Sequence, residues 1–266
     1  MNQTVLRSGL SGLLPWIPPA LFILTWVLIS ETGLIPSYLL PHPETIGRAG
    51  FTYIFGHAGE GPYAGRFLED ARASLYRVVS GFSLAALLGI PLGIWSGRTR
   101  AVRRLMSTSI NALRAVPGIC WLPLALVWFG IGLKTTVFLV ALAAFFPIYL
   151  NAAAGARGID PLLLQAGAMM GIRRVRGTFA ILLPGAMPSI MTGLRLGLGI
   201  AWAYLVLGEL TGVPDGLGAV IMDARMLGRI DIIVVGIILI AVMGRLSDLL
   251  LTSILRFCFK SARRLT

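Results

Sequence analysis

The chain has 266 residues, 56% of them hydrophobic and 13% charged, with a mean hydropathy of +0.84. Charge is scarce, at about half the level of a soluble domain, so the chain cannot cover itself with polar surface in water and falls in the membrane class. The net charge of +12 does not point to nucleic acid, because the basic residues gather at the edges of apolar stretches, the distribution that orients a membrane protein. The expected surroundings are membrane lipid, and no nucleic acid.

A span needs about 20 mostly apolar residues. Leu13–Ile29 qualifies, with Pro15, Pro18 and Pro19 near its start, where a helix tolerates them. Arg7 precedes it and no convincing small-residue cleavage site follows, so it reads as a retained first span. Gly33 to Gly65 is rich in Gly, Pro and His and reads as an extramembrane segment, extended through Leu39-Leu40-Pro41-His42-Pro43. A second helix is expected from Phe67 to Gly97. The third, from Val102 to Phe129, is expected to break at Pro117-Gly118, where proline removes a backbone donor and glycine loosens the helix.

Val137 to Ala154 makes a fourth span, interrupted at Pro147, and a polar loop follows from Arg157 to about Thr178. Ser189–Leu210 and Ile232–Phe257 are the fifth and sixth spans. Between them Thr211–Asp231 is too polar to cross and reads as a short amphipathic lid. Cys120 and Cys258 lie far apart within apolar stretches and fit packing residues better than a disulfide or metal site. His42 and His57 sit in the segment after the first span, and neither a metal cluster nor a nucleophile motif appears.

Six spans put both termini on one side. Arg7 and the clusters Arg98/Arg100/Arg103/Arg104, Arg157/Arg173/Arg174/Arg176 and Arg256/Lys260/Arg263/Arg264 fall on that side. Arg48, Arg66, Lys134, Arg225 and Arg229 fall on the other, together with eight acids. The positive-inside rule therefore places both termini and the 157–178 loop in the cytoplasm. Gly89-x-x-x-Gly93-x-x-x-Gly97 and Gly193-x-x-x-Gly197 put small residues on one helical face, which reads as close helix packing.

The polar loop carries the most information. Asp160-Pro161 is a helix-start signal, and Leu162, Leu163, Ala166 and Met170 make an apolar stripe. Gly171 ends that helix, and Ile181-Leu182-Leu183 belongs to a second segment that Pro184 stops or kinks. The residues alone leave two readings open. The loop can dock into a groove on another protein, or lie on the membrane surface held by anionic lipid.

The spacing Gln165-Ala166-Gly167, three residues, Gly171, nine residues, Ile181-Leu182-Leu183-Pro184 resembles the cytoplasmic E-A-A loop of ABC importer permeases. Ala166, Gly171, Ile181, Leu183 and Pro184 match. Gln165 stands where the family usually has Glu, and Gly167 where it usually has Ala. Further segments look like the same family, among them Leu113-Arg114-Ala115-Val116-Pro117, Trp121-Leu122-Pro123-Leu124 and Thr192-Gly193-Leu194-Arg195-Leu196. Within it they are similar to the branch serving aliphatic sulfonates, taurine, nitrate and bicarbonate.

The resemblance implies an all-α integral membrane protein with the type I ABC importer permease fold. It implies a single permease domain over 1–266, with a coupling loop at 157–184. Its coupling residues would be Asp160, Leu163, Gln165, Ala166, Gly167, Met170, Gly171, Arg173, Arg174, Ile181, Leu183 and Pro184. The implied partners are two copies of an ABC ATPase, a periplasmic or lipid-anchored solute-binding protein and a second copy of the chain. ATP and Mg would sit on the ATPase and no cofactor on this chain, which has no G-x-x-x-x-G-K-[ST] and is not expected to be an enzyme. The competing reading is a secondary transporter or channel that needs no ATPase.

Ionisable residues at membrane depth are functional candidates. Arg114, Trp121, Arg195, Trp202 and Glu209 are the candidates for the translocation path. Structural roles compete at each. Arg114 can be held by carbonyls freed at the Pro117-Gly118 break, Arg195 can snorkel, and Trp121 and Trp202 can simply pack. Glu209 can shape the outer gate, but is expected rather to reach interfacial water. Arg245 and Asp248, three residues apart, are expected to pair on one helix. The excess of arginine over acid at depth suits an anionic solute.

Overall fold

The computed structural model describes residues 17–32, 35–57 and 59–258, without the side chains of Arg174, Val175 and Cys258. The expectations for Arg7, Gly33, Lys260, Arg263, Arg264 and the first residues of the first span lie outside that description. Every regular element among the described residues is a helix. Four helices are long and apolar enough to cross a membrane, and a bent pair makes a fifth candidate. The chain packs as two compact units, Met1–Arg66 with Asp223–Val235, and Phe67–Met222 with Gly236–Thr266.

In the first unit, α1 (Ile17–Glu31) exposes Leu21, Phe22 and Leu24, as suits a helix surrounded by lipid. The segment that follows is not wholly extended. Leu39 and Leu40 donate backbone bonds to the Pro36 carbonyl, and α2 (Pro43–Phe55) begins with its proline in the first turn. The sequence reading missed α2 because two prolines and a histidine masked its start. Tyr53 and Tyr63 are buried, and Arg229 holds the Asp231 carboxylate through two nitrogens, Nε at 3.0 Å and Nη2 at 2.8 Å.

The second unit is built on α3 (Phe67–Arg98), which carries Glu69 and Asp70 in its first turn and Arg98 in its last, as the helix dipole favours. The broken span follows as α4 (Arg100–Ala115), a short 3-10 turn at Gly118–Cys120 and α5 (Trp121–Phe129), bent by 82° at the expected break. Next come α6 (Leu133–Arg157), α7 (Pro161–Met169), the single turn α8 (Arg174–Gly177), a π turn over Thr178–Leu182 and α9 (Leu183–Glu209). α10 (Leu217–Met226) occupies the expected lid segment, and α11 (Ile230–Cys258) is the last long helix.

Helix α6 is the centre of this unit, packed on α3 along one side and on α9 along another. Lipid gives little hydrophobic drive between helices, so close backbone approach must do the joining. A Cβ at Gly93 would stand 2.6 Å from the Tyr149 carbonyl oxygen, and one at Gly97 2.6 Å from that of Ala153. On the other side a Cβ at Gly193 would stand 2.7 Å from Asn151 Cβ, and one at Gly197 3.0 Å from Ile148 Cγ1. The two predicted glycine series are therefore the seams of the bundle. Tyr149 Oη also donates to Ser96 Oγ at 2.8 Å across the α3–α6 seam.

The interruption expected at Pro147 does not occur, because α6 runs unbroken through it. Pro147 removes one donor, and the Asn151 side-chain amide donates to the Pro147 carbonyl at 2.8 Å one turn on. Pro184 does not stop the next helix either. The backbone stays helical from Arg174 to Glu209, and a π turn just before the proline bonds Leu183 N to the Thr178 carbonyl. That wider turn makes room for a ring that an α-helical turn would drive into the carbonyl four residues back.

Candidate functional site

The first arm of the 157–184 segment starts and stops where its residues predict. Asp160 Oδ1 accepts from Leu162 N at 2.8 Å, capping α7, with Pro161 in the first turn. At the far end Gly171 N donates to the Ala168 carbonyl and Ile172 N to the Gly167 carbonyl, both at 3.0 Å. This double bond pattern requires a left-handed residue after the helix, and Gly171 supplies it at φ +77° with open space around it. Gly167 is buried, and a Cβ there would stand 2.5 Å from Ile181 Cδ1. The two arms of the loop therefore meet at the glycine that replaces the family's usual alanine.

The same segment leaves a large apolar face uncovered. Met169 is 89% exposed, Met170 74%, Phe179 67% and Leu162 66%, with Leu163 also exposed. Gln165 and Ala166 lie exposed beside them, and the Gln165 side chain makes no hydrogen bond to any described residue. Arg173 and Arg176 are exposed at the turn, Ile181 and Leu183 are half-buried, and Pro184 is exposed. Apolar side chains gathered on one polar loop mark a contact surface rather than a core.

A second feature forms at the broken span. Arg114 and Trp121 line a cavity of about 330 Å³ with Phe146 and Pro147 of α6 and Ile200 and Tyr204 of α9. No freed carbonyl holds Arg114, contrary to the expectation. Its side chain is exposed and has no hydrogen-bond or ion-pair partner among the described residues. It has room in the cavity, which Val116 and Gly118 at the turn also line.

The remaining path candidates are placed differently. Arg195 grips Asp248 through Nε at 2.9 Å and Nη2 at 3.0 Å, while Arg245 reaches the same carboxylate at 3.3 Å. The predicted Arg245–Asp248 pair is present, and the link from α9 to α11 through Arg195 has the better geometry. Arg195 and Asp248, with Arg256, border a second cavity of about 550 Å³. Trp202 is buried in the core beside Gly244.

Glu209 does not reach interfacial water, since none of its surface is exposed. It accepts from Ser74 Oγ at 2.8 and 2.9 Å, from Arg77 Nη1 at 2.7 Å and from Gly218 N at 2.8 Å. Arg77 also donates to the Asp215 side chain and, at 2.8 Å, to its carbonyl. Asp70 Oδ1 accepts from Gly216 N and Ser74 Oγ from Leu217 N, both at 2.9 Å. Side chains from α3 and α9 thus satisfy the free amides at the start of α10 and pin the lid segment. The signal was an unmatched Arg77 and an unmatched Glu209 in two different spans, which membrane burial requires to meet.

Comparison with known proteins identifies the family. Residues 89–258 match the family described as "Binding-protein-dependent transport system inner membrane component". The putative aliphatic sulfonates transport permease protein SsuC of Escherichia coli (strain K12) is 36% identical over 92% of this chain and 90% of its own length. The taurine transport system permease protein TauC of the same organism is 33% identical over 89% and 85%. A solved inward-facing form of the MetNI methionine ABC transporter superposes with a TM-score of 0.57 at 21% identity, covering 70% of this chain and 95% of that one. At that identity the likeness shows the fold alone.

Proposed function

We propose a transport mechanism from one premise: the chain belongs to the family of binding-protein-dependent transport-system inner-membrane components, the ABC importer permeases. It is a multi-pass membrane protein, and the finer reading is that it moves a small organic anion into the cell by alternating access. Two copies form the conduit, a solute-binding protein delivers the solute, and two copies of an ATPase supply the energy from ATP and Mg. The chain itself binds no cofactor in this reading. Six crossings, with α1 in the first, set both termini in the cytoplasm by the positive-inside rule.

The observation that carries this reading is the uncovered apolar face of the loop capped by Asp160 and turned at Gly171. It offers a partner a preformed helix end with Leu162, Leu163, Met169 and Met170 outward, and Gln165 free to bond. Without the usual Glu, docking rests on shape and apolar contact more than on an ion pair. The anionic solute is supported by Arg114 in the cavity and by relatives named for sulfonates and taurine.

The test is co-purification and uptake. The tagged chain, drawn from native membranes, is expected to bring an ATPase and a solute-binding protein with it. Gly171→Val puts a branched residue at φ +77° and is expected to abolish ATP-driven uptake. Normal uptake by that variant rejects the coupling role.

A further inference from the structure

Helix α4 is unlike any other span. At about 100° per residue, Arg100, Arg103, Arg104, Ser107, Thr108, Asn111 and Arg114 all fall within one face roughly 140° wide. Leu105, Met106, Ile110 and Leu113 fall outside it. Arg100, Arg104, Thr108, Asn111 and Arg114 are exposed, and none of their side chains has a hydrogen-bond or ion-pair partner among the described residues. Leu105 and Leu113 are exposed too, on the opposite side.

The depth of this face follows from its neighbours. One end of α4 adjoins Arg98, next to the seam where Gly97 meets Ala153 and Ala156 at the Arg157 end of α6. The other end reaches the cavity at Pro147, midway along α6, and at Tyr204, near the Glu209 end of α9. Sixteen residues make a helix of about 24 Å, long enough to run from a bilayer surface past the midplane roughly 15 Å below it. Lipid suits the Leu105 side and cannot suit the Arg and Asn side.

We propose that the polar face of α4 lines a water-filled exit for the anionic solute, running from Arg114 through Asn111 and Ser107 to Arg103, Arg104 and Arg100. This rests on the permease reading and adds the route and its charge selectivity. Each step is about one helical turn, roughly 5 Å of rise, so a small oxyanion bonds the next group before it leaves the last. Asn111 offers an amide and Ser107 a hydroxyl between cations at either end. The sequence holds no Asp or Glu between Asp70 and Asp160, so nothing along α4 itself repels an anion. The ladder favours anions and rejects cations.

Cysteine accessibility tests this in the full complex. Cys120 and Cys258 are replaced by alanine and serine, and single cysteines are placed at Ser107, Asn111, Leu105 and Leu113 in inverted membrane vesicles. The probes are the anionic sulfonatoethyl and the cationic trimethylammonioethyl methanethiosulfonates. The expected result is modification at 107 and 111, at least roughly tenfold faster with the anionic probe, and none at 105 or 113. Protection of 107 and 111 from both probes means that a second copy or lipid covers the face, and it overturns the proposal. So does equal reaction with both probes.

Arg114→Gln and Arg114→Lys give a second readout if a cysteine variant fails to fold. Gln is expected to cut anion uptake at least roughly tenfold, and Lys to keep most of it. Equal uptake by the two overturns the ladder. Labelling needs no ATP, so the readings fail separately. Anion-selective labelling with ATP-independent uptake defeats the ATP-driven reading and leaves the exit, whereas ATP-driven uptake with positions 107 and 111 protected defeats the exit alone.

Discussion

The buried network at Glu209 gives the sharpest stability prediction. Both carboxylate oxygens face donors only, Ser74 and Arg77 on one and Ser74 and Gly218 N on the other. Glu209→Gln keeps the shape, removes the charge and turns an amide NH2 toward one set of those donors whichever way it flips. Arg77 then keeps Asp215 as an ion-pair partner, and Asp215 is 36% exposed by side chain. Breaking a buried pair by changing one partner costs about 3–5 kcal/mol. At about 2–4 °C per kcal/mol that predicts a fall in Tm of roughly 6–20 °C.

The assay is thermal unfolding of the purified chain in detergent, followed by tryptophan fluorescence. Glu44→Gln is the control, because the Glu44–Arg48 pair at 2.6 Å is exposed on both sides and should shift Tm by no more than about 2 °C. The paired change Arg77→Met with Glu209→Leu removes both charges together and is expected to recover most of the loss. A Glu209→Gln variant that melts with the Glu44→Gln control would refute the view that this network pins α10.

Two further predictions concern other parts of the chain. Gly93→Val places a branched side chain against the Tyr149 carbonyl and Ala152 Cβ, at 2.6 and 2.7 Å from the new Cβ. It should cost about 1–3 kcal/mol in the same melt, whereas Gly199→Val, where nothing lies within 4 Å, should cost little beyond helix propensity. Tyr63 is buried with its hydroxyl unpartnered, and burial, then Asp223, raise its pKa above the ordinary 10.0. The folded chain holds the phenol neutral, so its contribution is intact below pH 10 and is lost as pH rises through the raised value. Tyr63→Phe should match wild type at pH 7 and lose less stability at higher pH; parallel losses would contradict this.

Much of the site was legible because it rests on local chemistry. Asp160-Pro161 and Gly171 announce a start and a stop through backbone geometry that few other residues satisfy, and the structure shows both. The glycine series at Gly89–Gly97 and Gly193–Gly197 was readable for the same reason, since only a residue without Cβ fits those seams. The effects of Pro147 and Pro184 were not readable. A proline marks a missing donor, but whether the helix breaks depends on neighbours such as Asn151 and on a π turn at Thr178–Leu182, which have no one-residue signature. Glu209 was misplaced because its partners, Ser74 and Arg77, lie more than 130 positions away. Span order alone does not tell which helices touch.

Coupling to ATP is the claim on which the functional account stands. The measurement is uptake of a labelled sulfonate into proteoliposomes that hold the chain with its co-purified ATPase, with the binding protein outside and ATP trapped inside. The account predicts accumulation that needs ATP and the binding protein together, and that stops when ATP is replaced by a non-hydrolysable analogue. Accumulation at the same rate with no ATP inside, or with the ATPase left out, would contradict it.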